Sequence, residues 1–278
     1  MALKTRTIDP SDAVAQSLAA LRWLQHRGAA KFYFKHCSTF DSTERGNIGP
    51  VLDAMLAELG GDFTTACPAF RANARTIYKR NLFVGDIQLS VSGVKNHPLT
   101  PMTDSNLVRV LAPQTLHKVA GCYHETVKQG VDAVRAWVSK ARADGYGVAV
   151  LDAMDDADLG VIAAAFDDAP LLTGASGLAY GLAGTLFRGG AATALELAPS
   201  AMQGGSRAVI SGSCSTATNG QVEKMLRDHE GFRIDVEQLA RGQDVVKEAL
   251  DWAKDRLGQK PVLFYATTAP DQVKAPSS

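Results

Sequence analysis

Residues 31–50, KFYFKHCSTFDSTERGNIGP, place a dense set of chemically useful side chains directly after a short apolar run. Lys31, Phe32, Tyr33 and Phe34 suit a buried strand. Lys35, His36, Ser38, Thr39, Asp41, Ser42 and Thr43 follow with donors, acceptors and both signs of charge. A cation there can hold a carboxylate, while an aspartate and several hydroxyls can read the hydroxyls of a sugar acid. A strand end is where α/β proteins open their clefts. The ordinary alternative is a polar strand-to-helix loop carrying caps. A second such stretch is Ser211, Gly212, Ser213, Cys214 and Ser215, between a strand at Ala208, Val209 and Ile210 and a helix through Val222, Met225 and Leu226. Hydroxyls and backbone amides at a helix N-terminus favour phosphate, although a plain capped turn has the same composition. The G-x-x-x-x-G-K signature of a Walker loop is absent.

The elements that must position these groups follow an α/β pattern. Ser11 caps a helix with Val14, Leu18, Leu21 and Leu24 at helical spacing, and Gly28 ends it. Pro50 opens a helix through Val51, Leu52, Met55, Leu56 and Leu59. A strand at 63–67 ends at Pro68, and Arg71, Asn73 and Arg75 follow it, a placement suited to an anionic ligand. Residues 76–87 alternate as a hairpin with its polar middle at 79–81. His97 lies in a loop reaching Asp104, the expected cap of a helix through Leu107, Val108 and Leu111; its near-neutral pKa makes it eligible for a ligand role. From Val119 onward, strands and helices alternate as βαβ units up to a GASG turn at 174–177, another candidate anion cradle or a turn tightened for packing. Residues 188–206 hold glycines and a proline without an apolar period and read as a linker. A last helix is expected through Leu239, Val245, Val246, Leu250 and Trp252.

The chain has 278 residues, 46% hydrophobic and 21% charged, enough for two globular units. With 29 basic and 29 acidic residues, nothing electrostatic points to nucleic acid or to a membrane surface, and no apolar run is long enough to span a bilayer or to form a secretory signal. The expectation is a cytoplasmic protein. The four cysteines show no C-x-x-C spacing, so neither a metal site nor a disulfide framework is expected. No G-x-G-x-x-G follows a strand, which removes the main sign of a nicotinamide-dependent dehydrogenase.

Five blocks, in order, resemble the four-carbon acid sugar kinases, and within them the 3-oxo-tetronate kinases: KHCSTFDSTERGNIGP; Asn73 to Thr76 with FVGD at Phe83 to Asp86; HPLTPMTDSNLVRVL; LTGASGLA; and ISGSCSTATNGQV. The resemblance implies an α/β fold of two three-layer units with mainly parallel sheets, the second incomplete. It divides the chain into a substrate-binding domain at 1–187, the linker at 188–206 and a partial nucleotide-binding domain at 207–278. It implies ATP and Mg²⁺ as cofactors and a small sugar acid as substrate, and is compatible with a homo-oligomer. Lys4 and Arg6, which composition alone gives as a β-edge or a frayed basic terminus, become the tip of a substrate-domain strand. With Lys35 and Arg75 they hold the carboxylate; Ser38, Thr39, Ser42 and His97 join the substrate site, and Ser211, Gly212, Ser213 and above all Ser215 contact nucleotide. Asp41 is the candidate base. Two departures stand out: Ala74 replaces a family glycine, which strains the backbone if that position has positive φ, and Ala175 replaces another. The family's Ala-Asp-Asp-Phe-Thr-Gly-Ala and Gly-Gly-Glu-Thr-Ser-Gly motifs are missing. The expectation is therefore a chain shortened at both ends, either an active kinase or a silent remnant that binds a sugar acid or phosphate.

Overall fold

A computed structural model describes residues 1–40, 42–95, 100–186, 205–258 and 260–268, in two compact units, 1–192 and 193–278. Among the described residues no helix is long and apolar enough to cross a membrane. The fold is α/β with mainly parallel sheets, as expected.

The first unit runs α1 (Pro10–His26), β1 (Phe32–Lys35), α2 (Ile48–Glu58), β2 (Thr64–Thr65), β3 (Arg75–Tyr78), β4 (Asn81–Val84), β5 (Ile87–Gln88), α3 (Leu107–Leu111), β6 (Lys118–Cys122), α4 (His124–Val127), α5 (Val131–Ala143), β7 (Tyr146–Leu151), α6 (Asp156–Ala165), β8 (Leu171–Gly174) and α7 (Ser176–Leu186). β1 pairs in parallel with β8, and β2 and β6 flank β7, also in parallel. Threonine side chains join the two ladders: Thr64 Oγ1 donates to Leu171 O (2.8 Å), Thr65 Oγ1 to Thr173 O (2.9 Å) and Thr173 Oγ1 to Thr65 O (2.6 Å). The continuous order is thus β1-β8-β2-β7-β6. Cys67 N also donates to Thr173 O at 3.3 Å, so the hydroxyls reinforce a short backbone join.

Strand alternation separates the layers. Phe32 and its register partner Leu171 pack with Ala13 and Leu21 of α1 and Val51, Met55 and Leu56 of α2. Leu172, one residue on, packs with the larger cluster that holds Leu159, Ile162 and Leu178 of α6 and α7. β3, β4 and β5 form a separate antiparallel sheet, anchored to the main one where Ile77 and Ala153 exchange backbone hydrogen bonds of 2.8 and 3.1 Å.

The second unit runs β9 (Ala208–Ser211), α8 (Thr216–Leu226), β10 (Gly231–Arg233), α9 (Val236–Ala240), α10 (Val245–Lys254) and β11 (Val262–Tyr265), with parallel order β10-β11-β9. Phe232, Trp252 and Phe264 cluster at centroid distances of 5.6–6.3 Å.

Several local expectations are corrected. Residues 1–8 form no strand, so Lys4 and Arg6 are not a β-edge. Asp9, not Ser11, caps α1, accepting from Ser11 N at 2.8 Å, because a carboxylate one residue before Pro10 reaches the free amides. α2 begins at Ile48, before Pro50. Asn106, not Asp104, caps α3; Asp104 instead accepts from Asn106 N and pairs with Arg109. The expected last helix is split into α9 and α10 by Gly242, at φ 79°. Nearly all of the expected linker lies outside the described residues, as do Asp41 and His97.

Candidate functional site

The register of the first unit brings its loops to one edge. Lys35 ends β1 opposite Gly174, which ends β8, and Cys67, just beyond β2, bridges to the same Gly174. The loops after β1, β2 and β8 therefore leave side by side at the carboxyl edge of a parallel sheet, the usual place for a ligand in this architecture. Lys35 is exposed, Ser38 half-buried and Thr39 buried, with its Oγ1 2.9 Å from Cys37 Sγ.

Ser42 has a different task. It is buried, and its hydroxyl donates to Gln114 Oε1 (2.9 Å), which also accepts from Gly49 N (3.3 Å), tying the loop to the start of α2. Gly46 permits this approach, since a Cβ there would lie 1.7 Å from Ser42 Oγ. Ser42 thus shapes the loop rather than facing outward with a free hydroxyl.

The turn after β8 is explained by close packing. A Cβ on Gly174 would fall 2.7 Å from Cys67 O and from the Tyr33 hydroxyl, and one on Gly177 2.3 Å from Ala69 O. Both glycines let the loop after β2 lie against the start of α7. Ala175, the departure from the family pattern, is fully buried; its amide donates to Cys67 O (3.0 Å) and its carbonyl accepts from Tyr33 Oη (2.5 Å). Burial pushes the Tyr33 phenol well up, so it acts as a donor at neutral pH. Burial likewise pushes the Cys67 thiol up to about 12, which keeps it unreactive.

Ala74 sits at φ 53°, ψ 40°, in the left-handed region, directly before Arg75. The strain expected from its missing glycine is therefore present. Arg75 opens β3, its guanidinium donating to Asn73 O. Lys4 is exposed, whereas Arg6 and Lys35 both line a groove of about 540 Å³ beside β1.

Asp152 was missed by the sequence reading. It follows β7, is fully buried, and accepts from Lys79 N (2.7 Å), Arg80 N (2.8 Å) and His124 N (3.1 Å). Lys79 and Arg80 form the β3–β4 turn with φ 50° and 67°, a conformation that normally asks for Asn-Gly. The carboxylate holds this strained turn against the main sheet. Burial raises its pKa against the pull of those amides. Beside it, His124 Nε2 lies 3.1 Å from the buried Asp158, to which Lys128 also pairs at 3.0 Å. The available signal was a carboxylate placed directly after the apolar strand VAVL.

In the second unit, residues 211–215 leave β9 and enter α8. Ser215 is the N-cap, its Oγ accepting from Thr218 N (3.2 Å), while Ser213 Oγ accepts from Ser215 N (3.3 Å). Ser211 Oγ lies 2.8 Å from Thr267 Oγ1, and Asn219 Nδ2 donates to Cys214 O and Thr268 O. The turn is therefore held to the end of β11. Gly212 is exposed, with nothing within 4 Å of a Cβ position. This is an open backbone turn at the N-terminus of an eleven-residue helix, able to present amides to an anion.

Residues 1–182 match the family of the sugar-binding N-terminal domain and residues 208–278 that of the nucleotide-binding C-terminal domain. Over 276 residues the chain is 51% identical to the 3-oxo-tetronate kinase of Pseudomonas savastanoi and 43% identical to that of Haemophilus influenzae, in both cases over 99% of this chain. It spans 64% and 66% of the lengths of these two relatives. A crystal structure of a Haemophilus influenzae protein, 42% identical, superposes with TM-score 0.69 over 97% of this chain and 65% of that one. A Bordetella bronchiseptica protein, 22% identical with TM-score 0.52, shares the fold; it crystallised as a domain-swapped dimer with bound citrate. Agreement along 99% of the chain does not bear out the reading of a silent remnant.

Proposed function

Since the chain belongs to the four-carbon acid sugar kinase family, we propose that it carries out ATP-dependent phosphorylation of 3-oxo-tetronate or a related four-carbon acid sugar, giving the 4-phosphate and ADP. The observation that carries this reading is the cationic, hydroxyl-rich loop after β1 at the carboxyl edge of the sheet, in a chain 51% identical to a 3-oxo-tetronate kinase. Lys35 and Arg75, with Lys4 and Arg6, hold the carboxylate, and Ser38 and Thr39 read hydroxyls. Ser42 keeps that loop in place through Gln114. Asp41 takes the proton of the attacking hydroxyl and His97 completes the substrate site.

Residues 211–215 receive nucleotide phosphate through backbone amides, with Gly212 open to close approach and Ser213 and Ser215 fixing the turn. Mg²⁺, when bound with the nucleotide, would supply positive charge to the transferring group. The small-molecule partners are the acid sugar and ATP, and a cytoplasmic location agrees with a need for ATP and with four cysteines that are free of disulfides. The test is ADP release with ATP, Mg²⁺ and 3-oxo-tetronate beside a control without the sugar acid. Release that depends on 3-oxo-tetronate and is lost in Asp41→Asn supports the reading; release unchanged in that variant removes Asp41 as the base.

A further inference from the structure

Arg80 stands at a position that disfavours an arginine. It lies in the β3–β4 turn at φ 67°, in the left-handed region where glycine is the usual residue, and Asp152 keeps it there by accepting its backbone N–H at 2.8 Å. Its side chain then runs over β6. A Cβ on Gly121 would fall 2.4 Å from Arg80 Cδ and 2.7 Å from Cγ, so the strand carries a glycine where the arginine stem has to pass. A strained backbone and a strand glycine are both unfavourable, and a residue held against both points to a use for its side chain.

The fold itself does not satisfy the guanidinium. Lys79, beside it, pairs with Glu125, whereas among the described residues Arg80 pairs with no carboxylate and its buried Nε has no acceptor. Its Cζ lies over the Tyr123 ring, 5.3 Å from the centroid, which orients the group without neutralising it. Next to it an open cavity of about 320 Å³ runs along β6, the last strand of the sheet, between α3 and α5. Val108, Val119, Ala141 and Trp137 give this cavity apolar walls. The two other charged residues that line it, Lys140 and Asp144, pair with each other at 2.5 Å, so the unbalanced charge at the cavity is that of Arg80. Apolar and aromatic walls with one convergent cation are the make-up of a small-molecule site. The cavity shares no residue with the loops after β1, β2 and β8 that form the candidate substrate site.

We propose that this cavity binds a small aromatic monocarboxylate, its carboxylate paired with the Arg80 guanidinium and its ring packed against Trp137. The fork of guanidinium donors matches the two oxygens of a carboxylate, and a flat apolar ring suits the indole face. At roughly 30 Å³ for each water-sized group, the cavity holds about ten non-hydrogen atoms, the size of benzoate. An inorganic phosphate would leave the apolar walls uncovered.

The test is an NMR titration of the isotope-labelled whole chain with benzoate. The expected result is saturable shifts of the Trp137 indole N–H and the Gly121 amide, with a Kd of about 1 mM or lower, while the indoles of Trp23 and Trp252 stay in place. Benzyl alcohol keeps the ring without the charge, and acetate keeps the charge without the ring; each should bind about tenfold more weakly or worse. Arg80→Gly reads the guanidinium directly, because glycine suits the turn and the chain keeps its fold, yet benzoate affinity should fall by about tenfold or more. Trp137 and Gly121 resonances unmoved by about 10 mM benzoate would overturn the proposal. So would unchanged affinity in Arg80→Gly, benzyl alcohol binding as tightly as benzoate, or 3-oxo-tetronate moving the same resonances at lower concentration, which would assign the cavity to the acid sugar.

Discussion

Replacing Asp152 by asparagine should release the β3–β4 turn while leaving the main sheet folded. The carboxylate accepts three backbone amides at 2.7, 2.8 and 3.1 Å from a fully buried position. An asparagine offers one oxygen and a donor in place of the second oxygen, so at least one amide loses its partner and faces another donor. The cost is about 2–3 kcal/mol. The turn has little reserve, because Lys79 and Arg80 hold left-handed conformations that cost roughly 1 kcal/mol each for residues bearing a Cβ. At about 1.4 kcal/mol per factor of ten, exchange at the Lys79 and Arg80 amides should accelerate roughly 30- to 150-fold. Amides in β7 and α5 should change far less. Adding Lys79→Asn and Arg80→Gly, the pair preferred for this turn, should restore about 1–2 kcal/mol of the loss. Unchanged exchange at Lys79 and Arg80 in Asp152→Asn would refute the assignment of the carboxylate as the turn's anchor. Failure of the Asn-Gly pair to recover any protection would refute the strain part of the argument.

Ala74→Gly should raise stability by about 1 kcal/mol, since Ala74 is exposed at φ 53° and glycine removes the steric cost; a urea titration of the whole chain reads it, and a loss of stability would count against the strain. His36 is buried between Phe34 and Phe40, and burial lowers its pKa from 6.5 to about 4. The unfolded chain therefore binds more protons than the native one between these values. Its contribution is complete above pH 6.5 and is lost as the pH falls towards 4, by about 3 kcal/mol in all. Urea titrations at pH 7 and 4.5 should show a pH-dependent loss that is smaller in His36→Phe; equal losses in the two proteins would contradict the burial.

The elements built on strong apolar periods were legible in the sequence: α1, α2, α5, α6 and the strands β1, β6, β7 and β8 follow directly from it. So was the reversal at 79–81, although its residues, Lys79 and Arg80, are not those the turn prefers, because Asp152 supplies from a distance what the local sequence lacks. Caps were placed a few residues off. Asp9 and Asn106 compete with Ser11 and Asp104 as nearby polar side chains, and only backbone geometry decides between them. The site was legible as residue types but not as roles. Ser42 and Ser215 look alike in the sequence as free hydroxyls, yet one is committed to Gln114 across 72 positions and the other to the first turn of its own helix. Lys4 and Arg6, which the family resemblance puts at a strand tip, lie in irregular backbone, the alternative that composition alone offered.

The most direct measurement is phosphorus NMR of the purified chain incubated with ATP, Mg²⁺ and 3-oxo-tetronate. The account predicts a new phosphomonoester resonance coupled to a methylene group, growing in step with ADP and absent without the sugar acid. ADP accompanied only by inorganic phosphate, or a phosphate carried elsewhere than on the terminal carbon, would contradict it.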